Sequence, residues 1–184
     1  MLVALPNLVT YFRILLVGVL VATIYFDGVW ARWAACGIFA TAAFTDLLDG
    51  WLARVRSEQS ELGRMLDPIA DKLLVATALL LLVELGSIDG VSVVAAVIIL
   101  CREILVSGLR EHLAELRVQL PVSWTAKWKT AVQLLAVGVL LSLPAGEAVF
   151  AWAEEAGLLL LWCAALLTVY TGWDYLRAIL RYMV

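Results

Sequence analysis

The chain has 184 residues, of which 64% are hydrophobic and only 16% are charged. Soluble domains carry about 25% charged residues, and a mean hydropathy of +0.98 leaves too little polar surface to cover a soluble globule. This composition excludes a soluble monomer and predicts an integral membrane protein. The net charge of −3 is uninformative by itself, and we expect no nucleic-acid partner.

Six apolar segments follow one another along the chain. They are rich in Leu, Ala and Val and show no strict alternation, so they are predicted helices and not barrel strands. Several of their apolar cores are shorter than the roughly 18 residues that identify a spanning helix directly. The segments cover residues 8–26, 33–51, 69–85, 91–106, 130–143 and 157–175. We predict an all-α integral membrane protein with six transmembrane helices, forming a single domain over residues 1–184.

The positive charges fall on one side of the membrane when the N-terminus is placed in the cytoplasm. Six crossings then bring the C-terminus to the cytoplasm as well, and of the 13 Lys and Arg residues only Arg32 lies outside. Such a bias sets the orientation of bacterial and other membrane proteins. We therefore predict cytoplasmic N- and C-termini. The N-terminus has no basic region and no cleavage site follows Phe26, so we expect the first apolar segment to stay in the mature protein.

Four aspartates share a helical pattern around the first cytoplasmic hairpin. The two halves of the pattern, eight residues apart, read Asp46-x-x-Asp49-Gly50-x-x-Ala53-Arg54 and Gly63-x-x-x-Asp67-x-x-x-Asp71. A helix advances about 100° per residue, so the acidic and small residues of each half fall on one stripe of a helix. The sequence therefore predicts that the carboxylates converge.

Converging carboxylates near a membrane are costly unless they are paired, hydrated or bound to metal. Oxygen donors without His or thiolate favour hard ions, so the pattern predicts Mg²⁺ or Mn²⁺, with a pair of ions holding a substrate phosphate. Gly50 and Ala53 leave room for a bulky ligand, and Arg54 can bind phosphate. Two alternatives are solvated aspartates beside small packing residues and a cation transporter, because intramembrane carboxylates also mark ion pathways.

The residues from Asp46 to Asp71 resemble the complete signature of the CDP-alcohol phosphatidyltransferase family. Residues 5–13, 102–111 and 124–133 are similar to the bacterial branch that uses glycerol phosphate, although Ala126 stands where that branch has glycine. The resemblance implies six transmembrane helices in the bacterial inner membrane, surrounding membrane lipids, a homodimer and an active site facing the cytoplasm. It also implies transfer of the phosphatidyl group of CDP-diacylglycerol to the 1-hydroxyl of sn-glycerol 3-phosphate, with release of CMP.

The same resemblance implies roles for individual residues. Two divalent ions would be ligated by Asp46, Asp49, Asp67 and Asp71, and Asp71 would also be the general base. CDP-diacylglycerol would be bound by Gly50, Ala53, Arg54 and Gly63. Thr10 and Arg13, at the start of the first helix, are expected to approach the nucleotide.

A phosphate-bearing acceptor needs cations beyond those that serve the pyrophosphate. The candidates on the same predicted side are Arg102, Arg110, Lys127 and Lys129. Glu103 is adjacent to Arg102 and is not expected to share its face, so we expect a phosphate or a distant aspartate as the partner of Arg102. The alternatives are that these residues set topology or contact anionic lipids, and that the acceptor is serine, inositol phosphate or phosphatidylglycerol. A catalytically silent scaffold is a further alternative.

Overall fold

The computed structural model of the chain describes residues 5–56, 61–115, 124–143 and 152–183. Over these ranges the chain is helical and contains no strand, so the prediction of an all-α fold is confirmed there, and each predicted apolar segment falls largely within one helix. The helices are α1 (Leu5–Ala22), α2 (Val29–Arg56), α3 (Glu61–Glu84), α4 (Ser92–Glu115), α5 (Trp124–Leu141) and α6 (Ala153–Met183). A short 3-10 turn, Thr23–Tyr25, follows α1.

Three helical stretches among the described residues are long and apolar enough to cross a membrane. They are Leu8–Tyr25, Ser92–Glu111 and Ala153–Arg177, which belong to α1, α4 and α6. Many large apolar side chains on the helices point outward, including Leu15, Phe44, Leu80, Ile104 and Leu166. An apolar exterior of this kind suits lipid and not water, and the chain is a membrane protein.

The helices pack as two groups of three. In the N-terminal group (α1–α3), α1 packs against both α2 and α3, while in the C-terminal group (α4–α6), α4 and α5 each pack against α6. Smaller contacts of α2 with α5, and of α3 with α4 and α5, join the two groups. The shared core contains fully buried side chains from both groups, such as Leu20, Leu82, Ile99, Leu140 and Leu161.

A glycine turn separates α3 from α4. Gly86 has a φ of 71°, a conformation that glycine adopts without steric cost at the end of a helix. The amide of Gly86 donates to the carbonyl of Val83 (3.1 Å), and the amide of Ile88 donates to the carbonyl of Leu82 (3.0 Å). Ile88 is buried against the core, so this turn is anchored at its centre.

Pro68 lies inside α3, which differs from the boundary that the apolar pattern predicts. The pattern starts the third helix near Ile69 and so places Pro68 at its edge, whereas α3 begins at Glu61. The first turns of α3 mix the charged residues Glu61, Arg64 and Asp67 with apolar ones, and this mixture falls below the hydrophobicity of a continuous apolar segment. Because α3 starts this early, its whole acidic stripe is helical.

The contact between α5 and α6 depends on Gly157. A Cβ atom at this position would lie 2.7 Å from Leu140 Cδ2 and 3.3 Å from Val139 Cγ1. Leu140 is itself fully buried, so it has little room to move away. The absence of a side chain at Gly157 therefore lets the two helices approach closely.

We expect Gly157→Val to destabilise the protein by about 1–3 kcal/mol, because it overpacks a filled interface. Thermal unfolding in detergent measures this effect. Gly138→Ala on α5 is the matched control, since a Cβ at Gly138 meets nothing within 4 Å, and it should unfold at or slightly above the wild-type temperature. Equal melting temperatures for the two variants would show that Leu140 repacks without cost.

Candidate active site

Three aspartates from two helices converge where α2 faces α3. Asp46 lies on α2, and Asp67 and Asp71 lie one turn apart on α3, where residues four apart share a face. One carboxylate oxygen from each of the three lies within 4.8 Å of the others. Their side chains are partly exposed, at 38%, 33% and 46% respectively. We call these three residues the carboxylate cluster.

A buried arginine from α1 lies against this cluster. The side chain of Arg13 is fully buried, and its Nη1 atom is 3.1 Å from Asp46 Oδ1, 3.1 Å from Asp67 Oδ1 and 2.5 Å from Asp71 Oδ1. Nη1 donates hydrogen bonds to Asp67 and Asp71 and forms an ion pair with Asp46. A guanidinium without water needs such partners, because burying an unpaired charge is expensive.

The carboxylate cluster fits a divalent cation. Its donors are carboxylate oxygens, which Mg²⁺ and Mn²⁺ prefer, and its three carboxylates outnumber the single positive charge of Arg13. The partial exposure of all three side chains leaves them accessible to an ion and a substrate. Asp46, Asp67 and Asp71 are therefore the residues that would hold the metal.

The remaining part of the acidic motif lies on the last turns of α2. The backbone of this part is helical as far as Arg56, in agreement with the predicted stripe. The side chains of Asp49, Gly50, Ala53 and Arg54 lie outside the described residues, so their predicted roles remain predictions.

Two predicted nucleotide contacts lie near the cluster in sequence, one on α1 beside Arg13 and one on α3 before Asp67. Thr10 is buried and lies three residues before Arg13, on the same side of α1. Gly63 is partly buried and precedes Asp67 by one turn of α3. Gly63 is therefore one turn from a member of the carboxylate cluster, and Thr10 is one turn from Arg13, which contacts that cluster.

A second charged group lies in the C-terminal half of the chain. Lys129 on α5 is buried and donates a short hydrogen bond to Oε1 of Glu103 on α4. The same oxygen lies 3.7 Å from Nη1 of Arg102. Arg110 is exposed, and its charge is close enough to act on Arg102 and Lys129. We call Arg102, Glu103 and Lys129 the basic cluster.

The expectation that Glu103 would not reach Arg102 is wrong. Helical periodicity describes the directions of Cβ atoms, and adjacent residues point about 100° apart. Arginine and glutamate are long enough to bend back toward each other across that angle, and Lys129 draws Glu103 inward from the facing helix. Arg102 therefore has an acidic partner within the protein.

Helix α6 also positions Arg102. Nη2 of Arg102 donates to Oγ1 of Thr171 (2.9 Å), and a Cβ at Gly172 would lie 3.2 Å from Arg102 Cγ. Thr171 supplies the hydrogen-bond acceptor for Arg102, and Gly172 leaves space for its side chain.

Two further polar atoms in the C-terminal group, Gln133 Oε1 and Thr168 Oγ1, are buried without a hydrogen-bond partner among the described residues.

Lys127 lies apart from the basic cluster. Its side chain is exposed, and its Nζ atom sits 4.9 Å from the centroid of the Trp124 ring. A lysine placed over an exposed indole makes a weak cation–π contact. Of the four predicted acceptor-binding residues, the structure joins Arg102 and Lys129 through Glu103, places Arg110 within electrostatic reach, and leaves Lys127 on the surface.

Lys72 connects α3 with α4 next to the carboxylate cluster. This residue follows Asp71 on α3, donates to the carbonyl of Pro68 (2.7 Å) and lies 3.9 Å from Glu111 on α4. The contact aligns the first half of α3 with the second half of α4. The residue after Asp71 therefore faces the second half of α4.

The sequence analysis places Arg13 only near the nucleotide, sets Glu103 aside as a partner of Arg102, and does not identify Thr171. A lone arginine in the first apolar segment was a usable signal, because such a residue requires an acidic partner. The partners of Glu103 and Thr171 lie on other helices, and no local pattern identifies them.

Comparison with known proteins gives a consistent result. A family model described as CDP-alcohol phosphatidyltransferase matches residues 3–170. A protein of Escherichia coli K12 is 42% identical over 94% of this chain and 93% of its own length, and one of Cereibacter sphaeroides is 37% identical over 98% and 97%. One of Rickettsia bellii is 39% identical over 97% and 96%. All three are named CDP-diacylglycerol–glycerol-3-phosphate 3-phosphatidyltransferase.

Proposed function

Since the chain belongs to the CDP-alcohol phosphatidyltransferase family, we propose that it transfers the phosphatidyl group of CDP-diacylglycerol to sn-glycerol 3-phosphate. The products are phosphatidylglycerophosphate and CMP. The observation that carries this proposal is the convergence of Asp46, Asp67 and Asp71 within 4.8 Å. The relatives named for this reaction align with the chain over almost their whole length.

The reaction requires metal at the carboxylate cluster. Asp46, Asp67 and Asp71 would hold Mg²⁺ or Mn²⁺, and Asp49 completes the set if two ions bind together. The metal supplies electrostatic stabilisation of the pyrophosphate and of the departing CMP, which is the main source of rate in phosphoryl transfer. Gly50, Ala53, Arg54, Gly63 and Thr10 are the proposed contacts of CDP-diacylglycerol.

Asp71 is the proposed general base. The 1-hydroxyl oxygen of glycerol 3-phosphate attacks the phosphorus of the phosphatidyl group, the bond from that phosphorus to CMP breaks, and Asp71 takes the hydroxyl proton. Asp71 is the most exposed member of the carboxylate cluster, at 46%, which supports access by an acceptor from the aqueous side.

The phosphate of the acceptor is assigned to the basic cluster. The guanidinium of Arg102 is held in place by a hydrogen bond to Thr171. The ammonium of Lys129 contacts Glu103, which also contacts Arg102. Arginine binds phosphate well because its N–H groups form a planar fork. Arg110 adds charge at the edge of this group, and Lys127 would guide the anion from the surface.

The setting of the reaction follows from the same proposal. Six membrane crossings with both termini in the cytoplasm place the active site on the cytoplasmic side of the bacterial inner membrane. There the polar reactants are dissolved and CDP-diacylglycerol is embedded among the membrane lipids. A homodimer is the proposed assembly.

The decisive experiment is CMP release by the purified protein in detergent, with CDP-diacylglycerol, Mg²⁺ or Mn²⁺, and separate acceptors. We expect release with glycerol 3-phosphate, no comparable release with serine, inositol phosphate or phosphatidylglycerol, and loss of release in excess chelator that returned metal restores. Selectivity for another acceptor would overturn the acceptor assignment and keep the chemistry. Absence of release with every acceptor, from folded protein, would favour a transporter or a silent scaffold.

A further inference from the structure

Arg13 has an unusual position for a cation in a protein that binds metal. Its side chain is fully buried, and a single nitrogen, Nη1, lies 2.5–3.1 Å from one oxygen of each member of the carboxylate cluster. These are the three residues that would bind metal. Arg13 therefore contacts the same carboxylate oxygens that would bind the metal ion.

The balance of charge explains why a cation belongs there. Three carboxylates within 4.8 Å of one another repel strongly, and with no counterion they would separate or take up protons. Two hydrogen bonds and an ion pair from Arg13 neutralise part of that charge. They also tie α1 to both α2 and α3, the helices that carry the cluster.

A divalent ion is a stronger counterion for the same oxygens. When metal binds, the carboxylates no longer need Arg13, and its positive charge then opposes the ion. The contacts of Arg13 are therefore worth more to the metal-free protein than to the metal-bound protein.

We propose that Arg13 is the internal counterion of the carboxylate cluster: it holds Asp46, Asp67 and Asp71 together before metal enters and competes with the metal that replaces it. Arg13 is a positioning residue in this role. The inference rests on the proposed metal site but not on the identity of the acceptor.

The test compares metal-free and metal-bound protein without turnover. Thermal unfolding of wild type, Arg13→Met, Arg13→Gln and Arg13→Lys is measured in chelator and in saturating Mn²⁺, and the affinity for Mn²⁺ is measured from the spin resonance signal of the free ion. We expect Arg13→Met to lower the melting temperature of the metal-free protein by about 5–10 °C relative to wild type. In saturating Mn²⁺ the decrease in melting temperature should be less than half as large. The variant should bind Mn²⁺ at least about threefold more tightly than wild type.

The other two variants separate charge from hydrogen bonding. Arg13→Lys keeps the charge and should recover most of the metal-free melting temperature, whereas Arg13→Gln keeps N–H donors without charge and should not. If Arg13→Met folds only when Mn²⁺ is present, the proposal is supported. If Arg13→Met folds in neither condition, the metal-free melting temperatures of Arg13→Lys and Arg13→Gln decide: a higher value for Arg13→Lys supports the counterion role, and equal values contradict it.

Two controls identify the source of a failure. Arg32→Met removes an arginine that lies about 21 Å along α2 from Asp46. The increase in melting temperature on adding Mn²⁺ should be the same in this variant as in wild type. Asp67→Asn should weaken Mn²⁺ binding; if it does not, the metal site itself is misassigned. Equal losses for Arg13→Met with and without Mn²⁺, or weaker Mn²⁺ binding, would overturn the counterion role while leaving the metal site in place.

Discussion

Asp67→Asn is expected to reduce CMP release by at least about 100-fold, because it removes the charge of a proposed metal ligand from a reaction that depends on electrostatic stabilisation. Asparagine keeps the size of the side chain, so the packing of α3 should survive. The measurement is the initial rate of CMP release at saturating CDP-diacylglycerol and glycerol 3-phosphate, with thermal unfolding as a check on folding. Asp46→Asn should behave in the same way.

Asp89→Asn is the matched control for this change. Asp89 is exposed in the turn between α3 and α4, beyond the last turn of the helix that carries Asp67 and Asp71. Its conversion to asparagine removes the same charge without touching the cluster, so release should stay near the wild-type rate. A comparable loss in Asp89→Asn would attribute the effect to net charge and not to the cluster.

Asp71→Asn tests the additional role of general base within the same series. It should lose turnover as severely as Asp67→Asn, and the loss should persist at Mn²⁺ concentrations that saturate the variant. Near-normal turnover in Asp71→Asn, beside inactive Asp46→Asn and Asp67→Asn, would exclude Asp71 as the base.

Arg102→Ala is expected to raise the KM for glycerol 3-phosphate by about 10- to 100-fold, the loss typical of a charge-assisted hydrogen bond. The KM for CDP-diacylglycerol should change little. The buried pair of Glu103 and Lys129 remains intact in this variant, so folding should be preserved. Steady-state kinetics with each substrate varied in turn gives both constants, and equal changes in the two would reject a specific acceptor role.

Gly172→Ala tests the position of Arg102 without removing it. The added Cβ would lie 3.2 Å from Arg102 Cγ, so the side chain must shift by a few tenths of an ångström. We expect a smaller rise in the same KM. Gly108→Ala on α4, where a Cβ meets nothing within 4 Å, is the control and should leave both constants unchanged.

The carboxylate cluster was predictable because a helix converts sequence spacing into geometry. Asp67 and Asp71 are four residues apart and share a face by periodicity alone, and Asp46 meets them because one hairpin joins α2 to α3. The partners of Arg13 are 54 and 58 positions away, and no short pattern encodes that meeting. The contact depends on how α1 packs against α2 and α3.

The basic cluster shows a different limit. Charge and sidedness group Arg102 with Lys129, and in the structure both contact Glu103, a partner that helical periodicity alone does not predict. Periodicity gives the direction in which a side chain leaves its helix and ignores how far a long side chain can bend. Lys129 is 26 positions from Glu103, and only the packing of α4 and α5 in the C-terminal group brings them together.

The division into two packing groups has a consequence for how the protein is made. Arg13 and the carboxylate cluster all come from α1–α3, which leave the ribosome first and whose strongest contacts are with one another. Chains fold from the N-terminal side during synthesis, and contacts close in sequence form fastest. The N-terminal group, with the carboxylate cluster, can therefore assemble in the membrane before the C-terminal group has been translated, and α4–α6 then pack against helices that are already in place.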